Sequence, residues 1–279
     1  MKEKHLTMEV NEITPIKINL PKEENNIKLY VLSDTHLGDS CADLDQIKEV
    51  INFIHDTPNC YCILLGDLLN TALKDSKSDI YCETLNVSQA QKLALDLLLP
   101  IKDKIIAMTP GNHENRVWRS VGVDVSLWLA EKLGVQKNYR NNFLALDIAF
   151  GKDNSGRPYH LRVVGQHGAY GGGRRLGAAM NALEDIDGIV GNADIIIRAH
   201  THQSVQGSRS IFLFNEKGNL EKRTKYYFNA PAFLKTGGYG LDKGYRPTDT
   251  SPCYLNVRAY NRRSGSRLEK TFKIDKITL

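Results

Sequence analysis

The stretch Ile27-Lys28-Leu29-Tyr30-Val31-Leu32-Ser33-Asp34-Thr35-His36 decides the fold. Residues 27–32 are a short apolar run with β-branched content, which predicts a buried strand. The run ends at Asp34, so a carboxylate and, two residues on, an imidazole sit just past the strand's carboxyl end. The pattern then repeats. Residues 62–65 predict a second buried strand ending at Asp67, and residues 104–108 a third ending at Gly111-Asn112-His113. Helical segments separate them. In residues 43–56, Leu44, Ile47, Val50, Ile51 and Ile54 recur at helical spacing behind an acidic cap. Residues 87–99 read as a helix stopped by Pro100, and residues 121–133 as a helix ended by Gly134. Strands alternating with helices imply a parallel sheet with crossover helices. Open α/β sheets place ligand sites outside the carboxyl ends of their strands, where these polar motifs fall.

The second half changes character. Strands are predicted over 143–150, 159–166 and 194–200, with a helix over 177–189 before the last of them. Residues 209–214, 225–229, 254–260 and 268–274 predict further strands with hairpin-type turns, Glu216-Lys217-Gly218-Asn219 among them. Residues 151–158 read as a hairpin loop. Residues 1–26 are polar and interrupted by Pro15 and Pro21, which suits an extended arm or edge strand. No internal repeat or low-complexity linker divides residues 27–279, so they are expected to form a single domain.

Composition narrows the class. A chain of 279 residues that is 41% hydrophobic can bury a substantial core. A net charge of +5 suits an anionic substrate without demanding nucleic acid. Arg262, Arg263 and Arg267 form a basic turn that reads as solubility rather than recognition. The cysteines, Cys41, Cys60, Cys62, Cys82 and Cys253, are odd in number and contain no C-x-x-C pair. That argues against a disulfide framework or a zinc ribbon and for reduced thiols. Met1-Lys2-Glu3-Lys4-His5 leads into no apolar stretch of signal-peptide length, and no segment approaches membrane-spanning length. A soluble cytoplasmic protein without membrane contact is the expectation.

Five motifs carry the chemistry. They are Ser33-Asp34-Thr35-His36, Gly66-Asp67-Leu68-Leu69-Asn70, Gly111-Asn112-His113-Glu114, Gln166-His167-Gly168 and His200-Thr201-His202. They hold five of the eight histidines in the chain. Imidazoles, carboxylates and an amide oxygen are the donor set that a pair of divalent ions requires. His5, His55 and His160 match no motif.

In this order the motifs resemble those of the calcineurin-like metallophosphoesterase superfamily, DxH, GDxx(N/D), GNH(D/E), H and GHxH, over residues 34–202. The resemblance implies an α/β fold, a four-layer α-β-β-α sandwich with two mixed sheets. It assigns Asp34, His36 and His202 to one metal ion and Asn112, His167 and His200 to a second, with Asp67 bridging. It implies two divalent ions, Mn²⁺ foremost, with iron, zinc and nickel as alternatives, and a hydroxide between them that attacks phosphorus in line. His113 then faces the leaving group as a general acid or a charge stabiliser. Some protein phosphatases of the superfamily pair that histidine with an Asp, where this chain has Asn70. An Asn can orient the ring but supplies no counter-charge, so His113 is expected to be harder to protonate. Glu114 either fixes a ligand or turn from behind or serves as a helix N-terminal acid.

Two departures bear on the branch. Ala199 stands where the superfamily usually has Gly. Leu68-Leu69 replaces the Arg- and Asp-rich signature that protein phosphatases carry after the bridging Asp. Ser33-Asp34-Thr35-His36-Leu37-Gly38 is similar instead to the opening motif of the nuclease and phosphodiesterase branches. The expected function is therefore a metal-dependent phosphoesterase acting on phosphodiesters, with nucleic acid or a nucleotide as substrate. A phosphomonoesterase or protein phosphatase is the first alternative, and a non-catalytic interaction scaffold the second. Arg174 and Arg175, in a glycine-rich loop after His167, are candidates for holding substrate phosphate, and Tyr239 for stacking on a base. Solvated surface turns are the competing reading of both loops.

Overall fold

A computed structural model describes residues 13–74, 80, 83–169, 175–215, 218–235, 247–264 and 267–279. Its first strand, β1 (Ile16–Asn19), pairs with a later strand. The expected parallel unit follows: β2 (Asn26–Leu32), α1 (Leu44–Asp56), β3 (Cys60–Leu65), α2 (Val87–Leu98) and β4 (Ile105–Thr109). β2 and β3 are parallel with Leu29 opposite Tyr61, and β3 and β4 are parallel with Ile63 opposite Ala107. α1 opens on Asp43, whose carboxylate accepts the Gln46 N–H at 3.2 Å. It buries Ile47, Val50, Ile51 and Ile54, the stripe its spacing predicts. α2 opens on a capping box in which the Asn86 and Gln89 side chains each accept the other's backbone N–H at 3.0 Å.

Two boundaries differ from expectation. Pro100 does not stop the helical path. α2 gives way at Leu98 to a 3-10 helix, Leu99–Lys104, with Pro100 in its first turn, where no N–H is needed. The helix expected over 121–133 begins only at residue 125, and a helix that was not expected precedes it. In chain order the two are α3 (Asn112–Val121) and α4 (Val125–Leu133), separated by Gly122 in the left-handed conformation at φ 70°. Asp124 caps α4, its Oδ1 accepting the N–H groups of Ser126 and Leu127 at 3.1 and 2.8 Å. α3 is mostly polar and buries only Glu114 and Val117, so it presents no apolar stripe to the reader of the sequence.

The second sheet is built from β5 (Leu144–Phe150), β6 (Tyr159–Gln166), β7 (Ile195–Arg198), β8 (Val205–Phe214) and β9 (Leu220–Asn229), with α5 (Leu176–Asp187) between β6 and β7. The last strands, β10 (Cys253–Ser264) and β11 (Arg267–Thr278), return to the first sheet, where β10 runs antiparallel to β2. The strand orders are β1-β5-β6-β7-β9-β8 and β11-β10-β2-β3-β4. Both sheets mix parallel and antiparallel pairs. β8 to β11 run longer than their apolar alternation predicts. Their extra residues belong to hairpin arms defined by main-chain pairing rather than by burial. β7, in contrast, stops at Arg198, short of its expected end at 200, and α5 ends at Asp187 rather than 189.

Alternation along the strands sets the layers. Ile27, Leu29 and Val31 of β2 face one apolar cluster with Leu144, Leu146 and Ile148 of β5 and Leu161 and Val163 of β6. This is the core between the sheets. Tyr30 and Leu32 face the opposite way, onto α1, α2 and α4. Val164 and Ile196 of the second sheet face α5 through Leu183 and Ile186. The result is the four-layer α-β-β-α sandwich with two mixed sheets. Cys60, Cys62 and Cys253 are buried free thiols, and burial pushes Cys60 up to about 11. Among the described residues, no helix is long and apolar enough to cross a membrane.

Candidate metal centre

Every metal-ligand motif falls just past the carboxyl end of a strand. Asp34 and His36 follow β2, Asp67 follows β3, Asn112 and His113 open α3 after β4, His167 follows β6, and His200 and His202 follow β7. The β2 and β3 loops run side by side. The N–H groups of Asp34, His36 and Leu37 donate to the carbonyls of Gly66, Asp67 and Leu68 at 3.1, 3.1 and 2.8 Å. The glycines of the GD and GNH motifs are required by contact. A Cβ on Gly66, itself at φ 82°, would lie 2.4 Å from the Gly111 nitrogen, and a Cβ on Gly111 would lie 2.0 Å from Asp67 Oδ1.

Backbone conformation marks the site independently of side-chain type. Six described non-glycine residues have left-handed φ: Asp34 (50°), His36 (43°), Asp67 (49°), Thr71 (47°), His200 (70°) and His202 (58°). Five of them are candidate ligands. Such residues cost on the order of 1–3 kcal/mol each and persist where the surroundings over-determine them, which happens most often at functional sites.

The side chains converge. One group joins Asp34, His36 and His202, a second joins Asp67, His167 and His200, and a third joins His36, Asp67 and His113, each with ligand atoms within 4.8 Å of one another. Asp34 Oδ1 lies 3.3 Å from His202 Nε2 and 3.7 Å from His36 Nε2, and those two nitrogens face each other at 3.2 Å. Asp67 Oδ2 lies 3.0 Å from His167 Nε2 and 3.7 Å from His113 Nε2. Its other oxygen accepts the His113 backbone N–H at 2.8 Å, at the positive end of α3. Asp67 is therefore the carboxylate central to both flanks.

Electrostatics keeps the acids ionised. Burial pushes both aspartates up, but the imidazoles outweigh it: His202 and His167 hold Asp34 well below the usual carboxylate range, and His167 and His113 do the same for Asp67. Burial lowers His113 to about 3 and His200 to about 4.

These residues fit divalent ions. Asn112 Oδ1 is buried without a hydrogen-bond partner, and Asp34 Oδ1 and His167 Nε2 are buried against other candidate ligands alone, a costly state for a cluster of donor atoms unless cations meet them. His167 Nδ1 donates to the Leu65 carbonyl at 2.7 Å, which turns Nε2 toward the site, where the aspartates outweigh burial and raise the ring to about 9; a bound ion would take the place of the Nε2 proton.

The supporting residues are partly as expected. Glu114 is buried and accepts three backbone N–H groups, from Asp67 at 3.0 Å, Leu69 at 2.8 Å and Gly111 at 2.8 Å. It ties the turn after β3 to the start of α3. Asn70 differs from expectation. The His113 ring is oriented by the Asn70 main-chain carbonyl, 2.7 Å from Nδ1, while the Asn70 amide donates to Glu83 at 2.8 Å. The side-chain position is thus not what addresses the imidazole. Glu83, Arg116, Arg198 and Asn229 were not legible as site neighbours. Arg116 is half-buried on α3. Burial lowers it, and the nearby carboxylates of Asp67, Glu114 and Glu83 raise it. Arg198 is buried beside Gly168. Glu83 and Asn229 are tied to the site by hydrogen bonds alone, with no motif around them.

Of the substrate candidates, Arg175 is exposed ahead of α5 and belongs to none of the ligand groups. Arg174 and Tyr239 lie outside the described residues. His55 and His160 sit apart from the centre, beside Asp56 and Asp147. His5 lies outside the described residues.

Comparison with known proteins agrees with the fold and the motifs. The chain matches the calcineurin-like phosphoesterase family over residues 27–204. It belongs to that family. No curated protein matches it in sequence. Among solved structures it is similar to Vps29 from Chaetomium thermophilum, with 12% identity, a TM-score of 0.36, and coverage of 90% of this chain and 98% of that one. Nothing about activity follows from so distant a likeness.

Proposed function

We propose that the protein is a dinuclear metal-dependent phosphoesterase that hydrolyses phosphodiesters, with a nucleic acid or nucleotide as substrate and Mn²⁺ as the working metal. Asp34, His36 and His202 would hold one ion, Asn112, His167 and His200 the other, and Asp67 would serve both. The observation that carries this reading is the convergence of Asp34, His36, Asp67, His167, His200 and His202 in groups within ligand distance of one another, with Asn112 Oδ1 buried and unpartnered. Ions bound there supply an activated water and neutralise charge on the phosphoryl oxygens.

The chain's own residues do the rest. His113, anchored through Nδ1 by the Asn70 carbonyl, presents Nε2 beside Asp67, facing the leaving group. Burial holds the ring neutral, at about 3, so it acts as an acid only after taking up a proton at Nε2, which the Asp67 charge favours. Arg116 lies one helical turn beyond Asn112 on the same face of α3, and its side chain leans toward the helix N-terminus. The charges of Asp67, Glu114 and Glu83 act on it, which supports Arg116 as a cation for a non-bridging phosphoryl oxygen of the substrate, a role the sequence suggested for Arg174 and Arg175. Preference for diesters is supported by the opening motif Ser33-Asp34-Thr35-His36-Leu37-Gly38 and by Leu68-Leu69 in place of the phosphatase signature.

The test is turnover by full-length protein loaded with Mn²⁺. Nucleotide diesters and oligonucleotides should be cleaved, with activity lost in excess chelator and regained on adding metal. Dephosphorylation of phosphopeptides without cleavage of any diester would replace this reading with the monoesterase. Bound metal without turnover of either class would leave a scaffold.

A further inference from the structure

β7 and β8 flank β9 on its two sides. Arg198 at the end of β7 and Val205 at the start of β8 both stand opposite Asn229, the last residue of β9. Residues 199–204 therefore cross over the carboxyl end of β9, with Asn229 beneath them. This crossing carries His200 and His202, both in left-handed conformation. Asn229 is fully buried, at 0% exposure. Its amide nitrogen donates its two hydrogens to Thr201 Oγ1 at 3.0 Å and to the Gln203 carbonyl at 2.8 Å, with the Ala230 carbonyl a longer, shared acceptor at 3.3 Å. One amide thus grips the crossing on both sides of His202. Thr201 is itself buried, at 4% exposure, so its hydroxyl has little water to turn to.

We propose that Asn229 is a positioning residue that holds the His200-Thr201-His202 turn in its left-handed form and so sets the affinity of the site for divalent ions. The proposal rests on the metal reading given above. The geometry asks for an amide at this position. A leucine fills a similar volume but donates nothing, and an aspartate would set an acceptor against the Gln203 and Ala230 carbonyls. Without the grip, each left-handed residue gains by relaxing toward ordinary φ, and relaxation carries both imidazoles away from the aspartates they face. Residues that orient metal ligands from behind typically change affinity by about 10–100-fold when removed.

The test measures Mn²⁺ binding by equilibrium dialysis of metal-stripped full-length protein, together with thermal melting without metal. Asn229→Leu should bind Mn²⁺ about 10–100-fold more weakly than wild type. Thr201→Val removes a single hydrogen bond and should weaken binding by about 2–10-fold. Thr201→Ser keeps the hydroxyl and should restore wild-type affinity. Wild-type affinity in folded Asn229→Leu would overturn the proposal. If Asn229→Leu does not fold, the Thr201 pair decides, and equal affinity of the Val and Ser variants would overturn it. A merely structural Asn229 would lower the melting temperature of these variants without moving their affinity. Absence of Mn²⁺ binding by wild type would remove the metal reading and the proposal together, an outcome distinct from equal binding by wild type and variants.

Discussion

One sheet brings both carboxylates of the centre, and the other brings only imidazoles. Asp34, His36, Asp67, Asn112 and His113 stand at the ends of β2, β3 and β4, whereas β6 and β7 add His167, His200 and His202. The halves are also locked differently. In the first, backbone meets backbone where Gly66 abuts Gly111, and the buried Glu114 collects three N–H groups. In the second, a crossing turn is gripped by the Asn229 amide. The anionic half is fixed by turns that its own strands and helix supply, while the imidazole half depends on a side chain from a strand that holds no candidate ligand. The centre exists only because the sandwich packs the two strand ends together.

If Asp67 is the residue on which both halves converge, removing its charge should have the largest effect. Asp67→Asn is expected to reduce turnover by more than the ~10²–10³-fold that loss of one stabilising donor costs, and to leave fewer than two ions bound. Metal content and rate measured on the same preparation check this. Full occupancy with unchanged rate would mean that the halves do not share Asp67.

Gly111→Ala tests the lock of the anionic half. The added Cβ would lie 2.0 Å from Asp67 Oδ1 and 2.3 Å from the Asp67 nitrogen, too close for a small adjustment. A displacement of about 1 Å at a reacting centre can cost about 10²-fold in rate, and a comparable loss or more is expected here together with a lower melting temperature. A variant with wild-type rate and stability would show that the two loops can slide apart, and that the backbone contact does not fix Asp67.

Legibility followed the same divide. The ligand types and their order were readable, because each motif interrupts an apolar strand with residues that have no reason to be buried unless they bind something. Gly66 and Gly111 were readable as motif members, although their reason, mutual contact, appears only in three dimensions. α3 was not readable, since a helix of Asn, His, Glu and Arg that buries one face against turns shows no apolar period. Asn70 was readable as a partner of His113 but not as one acting through its carbonyl. Asn229 left no trace, because it supports His202 from a strand distant in sequence. Left-handed φ at five candidate ligands is equally silent, since Asp and His carry no fixed conformational signature as glycine does.

A smaller effect belongs to His113, which stands in the anionic half but binds through its ring to a carbonyl rather than a carboxylate. His113→Gln should retain metal. Turnover of a diester with a poor alkoxide leaving group should fall on the order of 10²-fold, near the low end for general acid catalysis. A nitrophenolate leaving group hardly needs a proton, so its loss should be much smaller. Equal losses with both leaving groups would assign His113 to charge stabilisation instead.

The smallest effect is expected at Ala199, where the imidazole half departs from the usual glycine of its family. Glycine would matter here if the turn needed a left-handed residue before His200. It does not: the left-handed residues of this turn are His200 and His202, and Ala199 is not one of them. Ala199 is instead fully buried within the core between the sheets. Ala199→Gly therefore frees the unfolded chain and removes a packed methyl without relieving any strain. Destabilisation of about 0.5–1 kcal/mol is expected from the backbone entropy alone, or a melting point lower by about 1–4 °C. Turnover should stay within about twofold of wild type, as the grip on the turn lies beyond this position, at Thr201 and Gln203. A gain in rate or in metal affinity would show that Ala199 strains the turn after all, and that the imidazole half is held short of its best geometry.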